Sequence, residues 1–556
     1  MRTIHYILGI CCTLLLGYPC ASFAQDTTFN RVVTVEREYQ PDIHQAEMIP
    51  VQPSILQVDV NPNPVVYSTY SNPLSIGFNL HPLKAAETRF TPPTQLGGII
   101  DGAAGYRNTH LHFAYRLREK KNWSVDVFAK HDAYWGKDAL SVSGLGTTAT
   151  RHFKGLDLYV GVDGKNEAYA YQPVFGWQTL WNANTKIGIR STRDAAIQYR
   201  VQTGYEAFIT TNYAVEHQVC SYLDFAWKGD KHQAGLHAYV QNSIYSVADT
   251  AVAPRHAIRM EPFYEFETDY LRVHAGVHID MNIGNGTYLS STPNLAFAPS
   301  PHIEVEGHVL NNLLHPYLHA QGGVDMGTME EYMGYNRFLS ISGGLQRELR
   351  NYTPADVQLG IKIRPLNTML LDIYGGYAYM IGACNMEAVL NDANVVTNYH
   401  LWFTNYQRWK VGASLHYHYR DIVELNIGGN YYFYLQDPIP SMDPTEPYFQ
   451  ENRVKGTNIF DRPNWDAYAR IEAHIDSKWS IYSDNYLVGS RQAYVAPYRS
   501  ATLRPIISLS LGGQYAINRW LVVYAQLNDY LNRKDSFFYG YESQGIHFLV
   551  GVKYKF

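Results

Sequence analysis

Long segments with strict period-two alternation are the feature of this sequence that most restricts its fold. In "YLRVHAGVHIDMNI", apolar residues occupy every second position from Leu271 to Ile283. Such alternation predicts a β-strand with one apolar and one polar face. About 9 to 11 tilted residues suffice to cross a bilayer, so this strand is long enough to do so. Its polar face carries Arg272, His274, His278 and Asp280.

The same alternation recurs along the chain. "THLHFAYRLR" places His110 and His112 opposite an apolar face, and "WKVGASLHYHYRDIVELNIGGNYYFYL" does the same for His416 and His418 before a tight turn. Strands of soluble sandwiches cluster near five or six residues, whereas these run to ten or more. The sequence therefore predicts an all-β fold, a closed antiparallel transmembrane barrel, with a soluble all-β protein as the less favoured alternative.

Composition agrees with a long boundary between water and an apolar phase. Charged residues make up 17% of the chain and aromatic residues 14%, including 46 tyrosines. Tyrosine is amphipathic and suits such a boundary, and Trp409, Tyr417, Tyr419 and Trp479 stand near strand ends, where aromatic girdles lie. The net charge is −5, and the sequence has no run of basic residues that could bind along a phosphate backbone. Nucleic acid is therefore excluded as an expected partner.

The first 24 residues read as a secretory signal peptide. Arg2 precedes an apolar stretch, and Ser22-Phe23-Ala24 has the small-x-small pattern of a signal-peptide cleavage site. Cleavage after Ala24 is therefore expected. Lipid attachment at Cys20 is the alternative, but Tyr18 and Pro19 are poor neighbours for it. Cleavage would leave two distant cysteines, Cys220 and Cys384, which form neither a disulfide framework nor a CxxC motif.

Two further regions follow the signal peptide. Residues 25–96 hold nine prolines between Pro41 and Pro93, which predicts an extended irregular segment rather than an independent domain. Residues 97–556 are expected to form the barrel. Alternating short and long connections give about 22 strands, with 18 or 20 left open because residues 151–200 could hold two strands or three. This count treats Met326–Pro354 and Ala383–Arg408 as outer loops with short helix-compatible pieces.

The alternation along each strand also predicts which side chains face the lumen and which face lipid. The histidines and charged residues named above are expected to face the lumen, and so are Tyr317 and His319. On the last strand, a set of apolar and aromatic residues is expected to face lipid and to form the carboxyl-terminal signal that barrel-assembly machinery recognises: Phe548, Val550, Val552, Tyr554 and Phe556.

No motif indicates an enzyme, a cofactor or a metal. The pairs His110/His112 and His416/His418 offer two imidazoles each, whereas a zinc site needs three or four ligands and no carboxylate or cysteine stands close to either pair. GxSxG, HExxH and P-loop patterns are absent from the sequence. Hydrated lumen residues are the expected role of these histidines, and an enzyme assembled across strands is the alternative.

The barrel ends carry a family resemblance. "YAQLNDYLNRKDSFFYGYESQGIHFLVGVKYKF" resembles the last strands of TonB-dependent receptor barrels, and "LGGIIDGAAGYRNTHLHFAYRLREKKNWSVDVFAKH" is similar to the first hairpins of a related Gram-negative envelope group. The resemblance implies an outer-membrane location, contact with outer-membrane lipid, and transport of a solute. The alternative is a non-transporting accessory barrel that binds other envelope proteins.

The sequence differs from this family in the segment that precedes the barrel. Only residues 25–96 stand where the usual receptor has a large globular plug, so either this segment is a reduced plug or infolded outer loops obstruct the lumen. In "RVVTVEREYQP", the apolar segment Val32, Val33, Thr34 and Val35 could be a TonB box, recruited by β-strand addition. The alternative is that this segment pairs with other parts of the same protein.

Overall fold

The computed structural model describes residues 97–117, 122–136, 139–171, 176–191, 196–211, 214–246, 254–283, 297–310, 313–325, 327–340, 351–420, 422–436, 460–495 and 499–556. The signal peptide, residues 25–96 and the candidate TonB box lie outside this range. The division of the chain into 1–24, 25–96 and 97–556 therefore stays a prediction.

The described chain is almost entirely β-structure. Its strands are β1 (Gly98–Tyr106), β2 (Asn108–Leu117), β3 (Trp123–Tyr134), β4 (Leu140–Phe153), β5 (Leu156–Tyr171), β6 (Gly176–Ser191), β7 (Ile197–Thr210), β8 (Val215–Lys228), β9 (His232–Ser246), β10 (Arg255–Glu267), β11 (Leu271–Ile283), β12 (Phe297–Gly307), β13 (Leu314–Asp325), β14 (Asn351–Leu366), β15 (Met369–Leu390), β16 (Val396–Tyr419), β17 (Val423–Gln436), β18 (Trp465–His474), β19 (Trp479–Val488), β20 (Arg491–Val495), β21 (Arg499–Leu503), β22 (Ile506–Ala516), β23 (Leu521–Asn528), β24 (Ser536–Phe538), β25 (Tyr541–Glu542) and β26 (His547–Lys555). One helix, α1 (Met329–Tyr335), lies between β13 and β14.

Twenty-two of these strands close into one antiparallel barrel. Consecutive strands pair from β1 to β19, β19 then pairs with β22, and β26 pairs with both β23 and β1. At the closing seam, the Gly98 N–H donates to the Phe556 carbonyl (2.7 Å) and the Phe556 N–H donates to the Gly98 carbonyl (3.0 Å). The predicted all-β closed barrel and its count of about 22 strands are confirmed.

The outer surface of the ring is apolar. On β26 the exposed residues are Phe548, Val550, Val552 and Tyr554, and they alternate with inward positions such as the buried Leu549. Exposed tryptophans mark both ends of the strands: Trp123, Trp227 and Trp479 at one edge, Trp135, Trp177 and Trp409 at the other. An apolar belt between aromatic girdles is the surface that a bilayer requires.

The two edges of the barrel differ in their connections. At the edge that holds Gly98 and Phe556, the connections run from two residues between β4 and β5 to six between β12 and β13. At the opposite edge, longer segments join β13 to β14 and β17 to β18. Short turns on the periplasmic side and long loops outside are typical of outer-membrane barrels, which orients the ring.

Two regions that the sequence left open are decided by strand register. Residues 156–191 form two strands, because "GLDLYVGVDG" and "EAYAY" lie in the single strand β5. The interpretation of Ala383–Arg408 as a loop with helical pieces is wrong: these residues extend β15 and β16, which pair up to Leu390 and Val396. Cross-strand pairing and burial stabilise this hairpin, and they override its weak helical propensity. In contrast, the segment after β13 does contain a helix, α1.

No helix in the described ranges combines the length and hydropathy that a membrane span needs.

Candidate functional site

The inner wall of the barrel is polar along most of its height. Side chains that alternate with the outer belt are buried against one another and include many acids, amides and histidines. Buried examples are Glu167, Glu216, Gln218, Gln241, Glu261, His274, His278, Asp280, His315, His319, Gln358, Asp372, Lys410, Asp466 and Asp484. Such a wall suits a lumen that holds water or a polar solute.

The predicted lumen residue His110 lies in a network at the barrel seam. Tyr524 on β23 donates its hydroxyl to Asp101 on β1 (2.6 Å), and the His110 Nε2 lies 2.6 Å from the same hydroxyl. The Lys553 ammonium on β26 lies 3.2 Å from the second Asp101 oxygen. His112 pairs instead with Asp132 on β3 (2.8 Å). Carboxylates thus reach both histidines from neighbouring strands, which sequence spacing could not reveal.

Tyr317 and His319 lie on the inner wall formed by β13 to β16. The Tyr317 hydroxyl donates to Asp372 (3.0 Å) and accepts from the Gln358 amide (3.0 Å). The His319 ring centroid lies 4.7 Å from that of Tyr317. Lys410 donates to Gln358 (2.6 Å), so this network ties four consecutive strands together.

The remaining predicted lumen residues occupy separate places. His416 and His418 are half-buried on the inner face of β16, where they pair in register with Asn426 and Glu424 of β17. Arg272 is exposed near the periplasmic end of β11. Asp280 accepts two hydrogen bonds from the Arg259 guanidinium, at 2.6 and 3.1 Å. Only His274 and His278 are brought into one compact group, which is described below.

The extracellular mouth of the barrel is covered by folded segments that we call the apical cap. It consists of residues 327–340 with α1, the part of the β15–β16 hairpin from Ala383 to Thr404, the hairpin β20–β21, and the hairpin β24–β25. Its apolar core also takes side chains from the extracellular ends of the wall strands β5 to β9. The buried members include Tyr169, Leu180, Phe208, Tyr245, Met329, Tyr332, Met333, Phe338, Met386, Val396, Tyr399, Leu401, Val495, Phe538 and Tyr541.

Residues around α1 hold the cap against the wall through polar contacts. The Met329 N–H donates to Glu216 on β8 (2.6 Å), and Tyr169 on β5 donates its hydroxyl to the Arg337 carbonyl (2.6 Å). Arg337 also forms an ion pair with Glu167 on β5 (3.1 Å). Since residues 327–340 leave the ring at β13 but bind β5 and β8, they cross the mouth.

The local sequence explains why a helix forms here. Thr328 is the amino-terminal cap: its hydroxyl accepts from the Glu331 N–H (3.0 Å), and the Glu331 carboxylate accepts from the Thr328 N–H (2.9 Å). This capping box satisfies two free backbone donors. Met329, Tyr332 and Met333 then fall on one face of α1 and enter the apolar core.

Glu330 gives the cap a predicted pH dependence. Burial, together with the neighbouring Glu206 carboxylate, raises the pKa of Glu330 from 4.5 to about 8. A raised carboxyl pKa favours the attached helix at low pH and weakens it as pH rises through about 8. We expect hydrogen exchange at α1, corrected for the intrinsic rate, to be slower at pH 5 than at pH 9.

The matched variant is Glu330→Gln, which keeps a hydrogen-bonding side chain and removes the titration. Its corrected exchange at α1 should depend less on pH than that of the unmodified protein. An equal pH response in Glu330→Gln and in the unmodified protein would mean that another group controls the helix.

The residues just before β18 are also attached to the apical cap. The Arg462 guanidinium donates to the Asn385 side chain (2.9 Å) and to the Cys384 carbonyl (3.2 Å), and it lies 4.8 Å from the Tyr406 ring centroid. Asp461 accepts from the Met386 N–H (3.2 Å). Residues 461 and 462, which precede β18, are thereby attached to the part of the β15–β16 hairpin that belongs to the apical cap.

At the end of the barrel opposite the cap, a polar cavity of about 590 Å³ is lined by the periplasmic ends of β17, β18, β19, β22, β23 and β26. Its charged lining includes Glu424, Arg470, Glu472, Lys478 and Lys553. Both signs of charge are present, so the cavity presents a mixed rather than a single-sign field.

Midway up the wall, β10, β11 and β12 bring together what we call the histidine–carboxylate cluster: Glu261, His274, His278 and His302, with Glu265 and Glu304 at its edge. The pairs Met260↔Ile279 and Phe263↔Gly276 place Glu261 opposite His278. His302 pairs with Gly276 itself. All these positions have inward parity, so three adjacent strands supply the group.

The contacts in this cluster are close. The Glu261 carboxylate lies 3.3 Å from the His278 Nε2 and 3.4 Å from the His274 Nε2, and it contacts the His302 Nδ1. The His274 Nδ1 lies 3.0 Å from Glu265. Glu261, His274 and His278 are buried, whereas His302 remains partly exposed.

The described residues contain two groups whose ligand atoms could hold a metal ion. One is Glu261, His278 and His302; the other is Glu306, His308 and His315 near the periplasmic edge. In the second group the Lys362 ammonium already lies 3.2 Å from the Glu306 carboxylate. A cation at that place would have to compete with this ammonium.

Sequence reasoning missed Glu261 and His302. The available signal was that "MEPFYEFE", "YLRVHAGVHIDMNI" and "PHIEVEGH" each carry acids or histidines at alternate positions. Which of these residues meet depends on the register between strands, and a shift by two residues would bring a different set together.

The comparisons with known proteins bear on the fold. The chain has a TM-score of 0.62 with a solved structure named as the copper transporter OprC, at 11% identity over 84% of this chain and 81% of that chain. It has a TM-score of 0.63 with a mutant of the ferric enterobactin receptor PfeA from Pseudomonas aeruginosa, at 9% identity over 84% and 81%. For the ferric-catecholate import receptor Fiu from K12 E. coli, the TM-score is 0.60 at 9% identity over 84% and 82%.

No protein-family model and no curated protein matches the sequence. The resemblance to TonB-dependent receptor barrels is confirmed at the level of the fold. A large closed barrel of this fold with an apolar outer belt is an outer-membrane protein, which confirms the expected location.

Proposed function

We propose that the protein transports a solute across the outer membrane through the barrel lumen, and that the apical cap moves to admit it. The observation that carries this proposal is a folded apical cap over a polar lumen. A ring of 22 strands encloses space well beyond the needs of its own side chains. The contacts of residues 327–340 with β5 and β8 can break without disturbing the strand ladder of the barrel, so this segment can move while the barrel stays intact.

Two further facts support transport. The polar cavity at the periplasmic end of the barrel gives a solute polar surroundings at that edge. Structures that share the fold are named as a copper transporter, a ferric enterobactin receptor and a ferric-catecholate import receptor. The proposal assigns no catalytic role to any residue.

Energy coupling is part of the same proposal. Val32, Val33, Thr34 and Val35 would bind TonB by adding a strand to it, after the signal peptide is removed. This residue range lies outside the described chain, so the support for it is the sequence pattern alone.

Passive permeability tests whether the lumen can conduct. We expect liposomes that hold a variant lacking both residues 25–95 and residues 328–339 to swell in arabinose about ten times faster than liposomes that hold the mature protein. The variant lacks the candidate plug and the segment of the apical cap that crosses the mouth, in a lumen of this size. Each single deletion, measured separately, identifies which of the two segments limits passage.

The controls decide between transport and the alternative. Heat-modifiable migration in gels must first show that each variant is folded. A folded double-deletion variant that stays impermeable would contradict the transport proposal and favour an accessory barrel that binds other envelope proteins. In a parallel binding assay, deletion of residues 32–35 should abolish retention by immobilised TonB; retained binding would reject the TonB box.

A further inference from the structure

We propose that Glu261, His278 and His302 form a binding site for one divalent transition-metal ion in the inner wall of the barrel. This inference does not rest on transport, because a wall site can be filled whether or not the lumen conducts. It follows from the positions of the donor atoms, from the hydrogen bond that orients the His278 ring, and from a glycine that leaves room for the cluster.

The donor atoms have the spacing of a metal site. In a tetrahedral zinc site with bonds of about 2.0 to 2.1 Å, neighbouring ligand atoms lie about 3.3 Å apart. The His278 Nε2 lies 3.3 Å from a Glu261 oxygen. One donor atom from each of Glu261, His278 and His302 lies within 4.8 Å of the others, so small side-chain shifts suffice to coordinate one ion.

A hydrogen bond at the far side of the His278 ring orients this ring toward Glu261. The His278 Nδ1 lies 2.7 Å from the Gly322 carbonyl, which can only accept, so Nδ1 carries a proton and Nε2 faces the cluster. Gly322 stands at a bulge in β13, where the register shifts between Gln321 and Gly323. Metal-binding histidines generally donate their second N–H to a carbonyl or a carboxylate in this way.

His274 has a different role because both of its nitrogens face acceptors. Its Nδ1 lies 3.0 Å from Glu265 and its Nε2 lies 3.4 Å from Glu261. The donor atoms in this cluster that lie within 4.8 Å of one another belong to Glu261, His278 and His302, and His274 is not among them. His274 is therefore a positioning residue that holds Glu261 in place.

A glycine leaves the space in which these groups converge. Gly276 stands between His274 and His278 on the inner face of β11. A Cβ at this position would lie 2.9 Å from a Glu261 oxygen and 3.3 Å from the His274 Nε2. An ordinary side chain would thus displace the carboxylate, whereas glycine allows three imidazoles to surround it.

The chemistry of the donors sets the class of ion. Imidazole nitrogens with one carboxylate suit Zn²⁺, Cu²⁺, Ni²⁺ and Co²⁺, whereas Ca²⁺ and Mg²⁺ prefer oxygen ligands. The alternative to a metal is that protons on His278 and His302 neutralise the surrounding carboxylates. The two states differ in whether a cation binds with defined stoichiometry.

Zinc titration of the purified, full mature protein in detergent tests the proposal. Competition with a chromophoric chelator should give one tight Zn²⁺ site, and Co²⁺ at the same site should give the visible absorption of a low-symmetry nitrogen–oxygen complex. Glu261→Gln and His278→Ala should each weaken Zn²⁺ binding about a hundredfold or more, because each removes a direct ligand.

The control variants separate this site from other histidines. His416 lies on the inner wall outside the cluster. The variant His416→Ala should therefore bind Zn²⁺ as the unmodified protein does. Glu306→Gln tests the second group and should also leave the tight site unchanged. Absence of a stoichiometric site in the unmodified protein would overturn the proposal. So would a site that survives both Glu261→Gln and His278→Ala, or one that is lost in Glu306→Gln, in samples that are folded by heat-modifiable migration.

Discussion

Replacing Leu111 by arginine is expected to impair barrel assembly severely, whereas replacing the adjacent His112 by arginine is expected to be tolerated. Leu111 lies on the outer face of β2 with 55% of its surface exposed, near the middle of the strand. A charge placed on the lipid face near the bilayer midplane costs about 2 to 4 kcal/mol. That is a large part of the stability of a typical domain.

His112 provides a control on the same strand with the same new side chain. It faces inward with 42% of its side chain exposed, and it already pairs with Asp132 (2.8 Å). Arginine at this position can keep that ion pair and reach the hydrated lumen. Urea titration of folding into lipid, with heat-modifiable migration as the readout, measures both variants. Similar losses in the two variants would mean that the outer and inner faces have been assigned wrongly.

The second large effect is expected at the seam that closes the barrel. Gly105 on β1 pairs with Leu549 on β26, and a Cβ at Gly105 would lie 1.8 Å from the Phe548 carbonyl oxygen. Because the clash is with backbone, the strands themselves would have to separate. We expect Gly105→Ala to destabilise the folded barrel by about 1 to 3 kcal/mol, the usual range for overpacking.

Gly102→Ala on the same strand is the matched control. A Cβ there would make ordinary contact with a Leu111 side-chain carbon at 3.5 Å. Urea titration of the two variants should therefore show a loss only for Gly105→Ala. If Gly105→Ala folds with unmodified stability, β1 and β26 do not approach each other as closely as this register requires.

The fold was largely predictable because its main determinant is local. Alternation within a strand depends only on which residues stand at odd and even positions, and Phe548 to Tyr554 keep that pattern to the end of the chain. Bilayer thickness then sets the strand length, and the parity of short and long connections sets the count. The error at Ala383–Arg408 arose where the chain leaves the membrane, because bilayer thickness no longer limits a strand there.

The candidate site was predictable only in part. Parity identified His274 and His278 as residues of one polar face, but it could not show that Glu261 and His302 reach them from neighbouring strands. It also gave no sign that α1 would fold across the mouth and bind Glu216 and Tyr169. Those contacts join residues more than a hundred positions apart in sequence.

The sequence by itself thus determined the all-β class and the barrel, and it limited the strand number to between 18 and 22. These follow from a period of two and from the dimensions of a bilayer. Only the tertiary structure decided what fills and covers the lumen. The physical reason is that every inward residue obeys the same alternation, whereas its partners depend on the register between strands and on how the outer segments fold back. The histidine–carboxylate cluster and the apical cap are both consequences of that register.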